Sequence, residues 1–272
     1  MTTPSDVLLA QLLERARSAA RAASELLLRP PTDLVVEAKS TPTDAVTVMD
    51  KRSEQLLVSF LLDGREEDGV LGEEGADRPG TSGFRWVIDP IDGTVNYLYG
   101  LPGWSVCVGL EYEGEPIVGV VAAPTYDVTY FAAKGMGAFR ETAAGIAPVV
   151  PSTVTEMSMA LTATGFGYAA SRRAFQAGIL CELLPEIRDI RRAGSAAIDI
   201  CWVADGKVDA FYEKGLNPWD FTAASVVAAE VGVVLAGLDG RGPNPDLTIA
   251  ANPDLFSQFH DRLKELGADR RA

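Results

Sequence analysis

The chain has 272 residues, of which 47% are hydrophobic, which is enough apolar material for a sizeable core and too much for a disordered protein. Acidic residues number 38 against 24 lysines and arginines, and the net charge of −14 argues against a nucleic-acid-binding surface. A small anionic ligand is still allowed, because bound cations reverse the local sign of a site. The chain lacks an apolar run of about 18 residues, so no membrane span is predicted. Three widely spaced cysteines and the lack of a signal-peptide core favour the reducing cytoplasm.

The first half of the chain, residues 1–145, is predicted to be an α+β unit. Apolar residues at helical spacing predict a helix over 6–28, and a short strand at 46–48 precedes a second helix, for which Asp50 is the candidate cap. A loop rich in Gly and Glu is predicted over 69–83. The strand patterns, which turn signals join into an antiparallel arrangement, then lie at 84–88, 104–112, 117–123 and 127–132.

The second half, residues 146–272, alternates strands with helices. This pattern favours a layered α/β arrangement that packs against the first half as one compact unit. A segment rich in Pro, Ala and Thr, 141–155, is the predicted seam between the halves. The predicted strands are 157–163, 187–190, 208–212, 232–235 and 247–250, and the predicted helices are 171–183, 195–205, 220–231 and 253–266.

The run 86–96 carries the densest chemistry. Asp89 and Asp92 follow the end of a predicted strand, three positions apart, and the proline between them keeps the backbone out of a helix. Two carboxylates this close favour a divalent cation, and oxygen-only ligation favours Mg2+, with Mn2+ as a substitute. Gly93 and Thr94 then form a turn that can present N–H groups to a phosphate. The alternative is a turn in which the aspartates only cap the strand end.

Other segments allow two interpretations each. Glu73 and Glu74 lie between glycines, where a carboxylate could approach metal ions or could simply be solvated. Asp220 could cap a helix or point into a cleft. The turn 194–197 suits close ligand approach and close helix packing equally well. Glu213 is either an exposed charge at a strand end or an acceptor for a polyol hydroxyl.

Taken together and in this order, the segments resemble the inositol monophosphatase family, within the superfamily that includes fructose-1,6-bisphosphatases. The resemblance extends from about residue 39 to about residue 236. It is carried by Lys39 with Asp44 and Asp50, Gly72-Glu73-Glu74, the Asp89-to-Asn96 run, Gly194-Ser195-Ala196-Ala197, and Glu213 with Trp219-Asp220. The family resemblance implies a five-layered αβαβα sandwich. It also implies a phosphomonoesterase that uses two or three Mg2+ ions to activate water, and that hydrolyses inositol 1-phosphate or a similar small polyol phosphate.

The resemblance implies a role for each matching residue. The implied metal ligands are Glu73, Asp89, Asp92, Asp220 and the carbonyl of Ile91. The implied catalytic residues, which orient the attacking water, are Glu73 and Thr94, with Asp50 hydrogen-bonded near the Thr94 hydroxyl. The implied substrate-binding residues are Gly93 and Thr94 for the phosphate, and Asp92, Gly194, Ser195, Ala196 and Glu213 for the hydroxyls, with Lys39 on a loop near the site.

The sequence departs from the family pattern at two places. Tyr99 stands where many relatives carry a histidine, which bears on leaving-group recognition, and the segment 140–145 replaces the usual Asn-Gly hairpin. Rival substrates are histidinol phosphate, fructose 1,6-bisphosphate and 3′-phosphoadenosine 5′-phosphate. The last two are less favoured, because no basic or aromatic set for a second phosphate or an adenine is evident.

A catalytically silent homologue that only binds a metal or ligand is the alternative from another class of protein. The presence of both Glu73 and Thr94, which are the water-orienting pair, favours an enzyme. A homodimer is expected from the resemblance alone.

Overall fold

The secondary structure comes from a computed structural model, which describes residues 4–31, 36–38 and 45–270. The helices of this part are α1 (Asp6–Leu27), α2 (Val48–Leu62), α3 (Thr94–Leu98), α4 (Ala170–Leu183), α5 (Ala196–Ala204), α6 (Pro218–Glu230) and α7 (Pro253–Glu265). The strands are β1 (Val36–Ala38), β2 (Ala45–Thr47), β3 (Gly69–Gly72), β4 (Asp77–Arg78), β5 (Phe84–Asp92), β6 (Ser105–Tyr112), β7 (Glu115–Ala123), β8 (Val128–Ala133), β9 (Ala138–Thr142), β10 (Gly145–Pro148), β11 (Leu161–Thr164), β12 (Asp189–Arg191), β13 (Ala210–Glu213), β14 (Val234–Ala236) and β15 (Thr248–Ala251).

These elements stack in five layers. Helices α1 and α2 cover one face of an eight-stranded sheet with the order β10-β9-β8-β7-β6-β5-β3-β4. Helices α5 and α6 lie between that sheet and a five-stranded sheet with the order β12-β11-β13-β15-β14. Helices α4 and α7 pack on the far side of the second sheet. The αβαβα sandwich predicted from the family resemblance is therefore confirmed.

The middle layer is buried on both sides, which explains the small residues of α6. Gly119 of β7 lies so close to this helix that a Cβ atom there would come within 2.0 Å of the carbonyl oxygen of Ala223. Close packing of helix on sheet brings the first turn of α6 to the end of β5. This packing places the carboxylate of Asp220 beside the Asp89–Asp92 motif.

The start of α2 differs from the prediction. Thr47, and not Asp50, is the N-cap, because its Oγ1 accepts a hydrogen bond from the N–H of Met49 at 3.0 Å. Asp50 is the third residue of the helix, and its Oδ2 accepts the N–H of Thr47 at 2.8 Å, which completes a capping box. At α6, Asp220 also occupies the third position and accepts the N–H of Asn217 at 2.7 Å.

Two hairpins lie where loops were predicted. Strands β9 and β10 pair antiparallel within the predicted seam, and Pro148 is tolerated because β10 is an edge strand. Strands β3 and β4 occupy part of the predicted loop 69–83, and β3 pairs parallel with β5 beside the acidic motif. The described helices are each too short or too polar to span a bilayer.

Candidate active site

Three carboxylates converge where the two halves of the chain meet. Pairing of β5 with β6 loses its regular register between Asp89 and Asp92, so the two side chains escape the strict alternation of a strand. Asp220 approaches from α6, and one carboxylate oxygen from each of the three aspartates lies within 4.8 Å of the others. Asp89 is only 1% exposed. The structure thus brings together carboxylates that are about 130 positions apart in the sequence.

The electrostatics of this cluster indicate what it can bind. Burial raises the pKa of Asp89 well above its usual range, and the nearby charges of Glu73, Asp92 and Asp220 raise it further. Burial also raises the pKa of Asp92, to about 6, and that of Asp220 well above its usual range. Divalent cations with a preference for oxygen ligands would relieve this repulsion. The donor set therefore fits Mg2+.

Glu73 is held against the cluster by a residue that the sequence analysis did not single out. Glu54 of α2 is buried, and its carboxylate accepts the N–H groups of Glu74 at 2.8 Å and Ala76 at 3.0 Å. These bonds fix the turn that carries Glu73, whose side chain hydrogen-bonds with Asp89 and lines the cavity. Glu74 does not line it, so of the two neighbouring glutamates Glu73 is the one at the site.

The hydroxyl of Thr94 is held by buried acceptors on the side away from the cavity. It lies 3.2 Å from Oδ1 of Asp50 and 3.1 Å from the carbonyl oxygen of Ile91, and it can donate its proton to either. Asp50 is fully buried, and its other oxygen accepts from the capping residue of α2. Because the Thr94 hydroxyl donates its hydrogen to one of these buried acceptors, its oxygen lone pairs are left to accept a hydrogen bond from the cavity.

The turn at Gly93 requires glycine. Its φ is +97°, and a Cβ atom would meet the carbonyl oxygens of Gly103 at 2.8 Å and Gly194 at 3.0 Å. Within the described part of the chain, the N–H groups of Gly93 and Thr94 have no acceptor. Free N–H groups beside a cluster of metal-ligand type can receive the oxygens of an anion.

The start of α5 holds Asp92 in place. Oδ2 of Asp92 accepts the hydroxyl of Ser195 at 2.6 Å and the N–H of Ala197 at 2.8 Å. Ser195 is fully buried, so its side chain positions Asp92 and does not face the cavity, whereas Gly194 and Ala196 line it. Asn96 adds a second link between the halves, since its amide donates to the carbonyls of Gly103 and Ala193, both at 2.7 Å.

The wall opposite the metal-type cluster carries both signs of charge. Glu213, at the end of β13, faces the cavity, and burial raises its pKa to about 8 against the lowering effect of Arg192 and Arg172. Both arginines and Lys214 line the cavity as well, and the Lys214 ammonium donates to the carbonyl oxygens of Asp246 and Asp269. The sequence did not make this group of basic residues evident. These cations come from three separate segments, and only folding gathers them.

Four further residues complete the comparison with the sequence. Asp199 lines the cavity and was not predicted, although a lone carboxylate in the otherwise apolar α5 is a usable signal. Tyr99 is 77% exposed and lies outside the cavity lining, so its side chain does not contact a leaving group within one chain. Lys39 and Asp44 lie outside the described residues.

Comparison with known proteins agrees with this geometry. The family model described as the inositol monophosphatase family matches residues 8–268. An inositol-1-monophosphatase of Mycobacterium leprae is 44% identical over 227 residues, which cover 81% of this chain and 78% of the relative. The Escherichia coli K12 protein named Nus factor SuhB is 33% identical over 265 residues, 93% of this chain and 96% of the relative. The crystal structure of extragenic suppressor protein suhB from Bartonella henselae superimposes with a TM-score of 0.83 at 29% identity, over 96% of this chain and 99% of that one.

A five-layered sandwich with a carboxylate cluster at the junction of its halves, shared with relatives named inositol-1-monophosphatase, identifies a phosphoric monoester hydrolase. The chain belongs to the inositol monophosphatase family.

Proposed function

We propose that the chain hydrolyses inositol 1-phosphate, or a similar small polyol phosphate, in a reaction that depends on Mg2+. The observation that carries this proposal is the convergence of Asp89, Asp92 and Asp220 within 4.8 Å, directly beside the free N–H groups of the Gly93–Thr94 turn. The cavity volume of about 430 Å³ suits one small phosphorylated ring. The printed name of the Mycobacterium leprae relative supports the substrate.

The metal ligands would be Glu73, Asp89, Asp92, Asp220 and the carbonyl of Ile91. Two or three Mg2+ ions would be held there, with Mn2+ as a substitute, since all of these donors are oxygen atoms. When bound, the ions supply Lewis acidity that acidifies water and offsets phosphate charge.

The protein's own groups would position the reactants. Glu73 and Thr94 would hold the attacking water. Asp50 would keep the Thr94 hydroxyl oriented by accepting a hydrogen bond from it. The N–H groups of Gly93 and Thr94 would bind the phosphate oxygens. Because the water and the leaving alkoxide must be roughly in line through phosphorus, these contacts fix the phosphoryl group between the water and the polyol.

The polyol would lie against the second half of the chain. Asp92 and Glu213 would accept its hydroxyls, and the turn at Gly194 and Ala196 would allow close approach. Ser195 would act through Asp92, to which it donates. Lys39 would lie near the same site.

A second candidate function has a specific observation in its favour. Arg172 and Arg192 line the cavity, where their charges act on Glu213, so they could receive a second phosphate group. Fructose 1,6-bisphosphate would then be a substrate of the same site.

The test is phosphate release from inositol 1-phosphate, histidinol phosphate, fructose 1,6-bisphosphate and 3′-phosphoadenosine 5′-phosphate, each with Mg2+ and with EDTA. We expect the largest kcat/KM for inositol 1-phosphate, and at least a 100-fold loss in EDTA, because the carboxylates alone repel a phosphate. Release from histidinol phosphate alone would overturn the substrate, and release from none would favour a silent binding protein.

We further propose a homodimer that forms through the surface next to the cavity. Leu101 and Tyr126 are 51% and 38% exposed there, and with Pro102 and Trp202 they line a hollow. Arg192 lines both this hollow and the cavity, so the contact would adjoin the site. In sedimentation velocity we expect a dimer for the wild type and at least a tenfold weaker one for Leu101→Asp. A monomeric wild type would contradict this proposal.

The three free cysteines support the proposed cytoplasmic location.

A further inference from the structure

Asp199 is a buried carboxylate that the proposed mechanism does not use. It lies one turn into α5, its side chain lines the cavity, and it is 1% exposed. Among the described residues, two buried side-chain atoms lack a hydrogen-bond partner, Oδ1 of Asp199 and Nε of Arg17. The Arg17 guanidinium forms ion pairs through its other nitrogens, whereas Asp199 forms none with another residue that the structure describes. An unsatisfied buried acceptor costs about 1–3 kcal/mol, so the fold alone gives no reason for it.

The neighbours of Asp199 place it beside the polyol-binding groups. Burial raises the pKa of Asp199 well above its usual range, and the charges of Glu213 and Asp92 raise it further, while Arg192 lowers it. The backbone N–H of Ala193 lies on the same side and also lowers the pKa of Asp199. Asp199 therefore stands among groups from β13, from the end of β5 and from the segment before α5.

The position of Asp199 on α5 places the residue at the wall of the cavity. Asp199 and Ala196 are three residues apart in the helix, so their side chains share one face. Both line the cavity. The Gly93–Thr94 turn approaches from the first half and Glu213 from the second, so a phosphate on that turn would place its esterified alcohol toward α5. A carboxyl can accept a hydroxyl proton, and its protonated form can also donate.

We propose that Asp199 is a substrate-binding residue that hydrogen-bonds a hydroxyl of the polyol beside Glu213. The inference rests on the proposed function, since it takes the polyol phosphate as the ligand. It makes Asp199 a determinant of specificity: the residue recognises the alcohol and has no contact with the phosphate.

The experiment measures Asp199→Ala and Asp199→Asn with inositol 1-phosphate, and measures the inhibition constant of inorganic phosphate for each. We expect KM for inositol 1-phosphate to rise about five- to tenfold in Asp199→Ala, as for one lost hydrogen bond, with the phosphate inhibition constant unchanged within twofold. Asp199→Asn, which keeps an acceptor and a donor, should show a smaller rise. Both variants should melt at or above the wild-type temperature, because they remove a buried carboxyl with an unmet bond.

The matched control is Cys201→Ala, which removes another buried side chain from α5 at a position outside the cavity lining. Its KM should stay at the wild-type value. An unchanged KM in Asp199→Ala, or an equal rise in KM and in the phosphate inhibition constant, would overturn the role of Asp199 while leaving the proposed function intact. If the wild type releases no phosphate from any polyol phosphate, the proposed function fails first and this inference fails with it.

Discussion

The Asp220→Asn variant is expected to lose at least about 10³-fold in kcat/KM, which is about 4 kcal/mol of transition-state stabilisation, yet to melt at a higher temperature without metal. Asparagine keeps the acceptor for the Asn217 N–H and so preserves the start of α6. It also removes one of three carboxylates that lie within 4.8 Å of one another. Relief of repulsion worth about 1 kcal/mol would raise the melting temperature by about 2–4 °C. Calorimetry in EDTA and steady-state kinetics in Mg2+ measure the two effects.

The stability of the metal-free protein should also depend on pH. Burial raises the folded-state pKa of Asp92 from 3.8 to about 6, and those of Asp89 and Asp220 well above 3.8. A raised folded pKa contributes stability below the unfolded value, and that stability is lost as pH rises through the folded value. The metal-free wild type should therefore lose stability from about pH 4 to beyond pH 6.

Asp220→Asn should show a shallower loss over the same pH range, because one of the titrating groups is gone. Asp77→Asn, which removes an exposed aspartate of β4, is the control and should follow the wild type in both assays. A metal-free Asp220→Asn protein that is less stable than the wild type at neutral pH would contradict the proposed repulsion.

Glu73→Gln should lower kcat by about 10²- to 10³-fold while KM changes less than threefold, the range expected for loss of a group that orients or deprotonates water. The amide is nearly isosteric, and the turn that carries it stays fixed by the hydrogen bonds that the N–H groups of Glu74 and Ala76 donate to the Glu54 carboxylate. Substrate binding should therefore survive at saturating Mg2+. Stopped-flow single turnovers, with Mg2+-induced stabilisation measured in parallel, separate the chemical step from binding.

Glu74→Gln is the matched control for this prediction, since Glu74 neighbours Glu73 in the same turn but does not line the cavity. Its kcat should remain within about twofold of the wild type. A Glu73→Gln enzyme that retains near-full turnover at saturating Mg2+ would contradict the proposed role of Glu73 in orienting water. If Glu74→Gln were the more damaging change, the two glutamates would have to exchange their assignments.

Much of the site could be predicted because its acidic residues stand beside local signals. The run from Asp89 to Thr94 contains a strand end, a proline and a glycine, and each constrains the backbone in a way that sequence reveals. Asp220 and Asp50 stand at helix starts, which periodicity locates within two or three residues. The cap of α2 was nevertheless misplaced, because Thr47 and Asp50 are both good capping residues and only the bond between them decides which is the cap.

The opposite wall of the cavity could not be predicted for a different reason. Arg172, Arg192 and Lys214 belong to three segments that are ordinary in composition, and their approach depends on how β11, β13 and β12 pair. The β9–β10 hairpin was missed because alanine and proline at an edge strand resemble a linker. The secondary-structure propensity of a segment does not indicate which strand it will pair with in the sheet.

The hydrogen bonds from Ser195 and Ala197 to Asp92, and from Asn96 to Ala193, join the two halves at the catalytic cavity itself. Binding in the cavity should therefore stabilise the whole fold. A compound that contacts these groups would bind residues from both halves, and it would bind only the folded chain. By mass action, such a compound at 100 times its dissociation constant adds about 2.7 kcal/mol to the unfolding free energy. A melting curve thus becomes a screen for substrates: candidate phosphate esters can be ranked by how far they delay global unfolding, even before any turnover is detected.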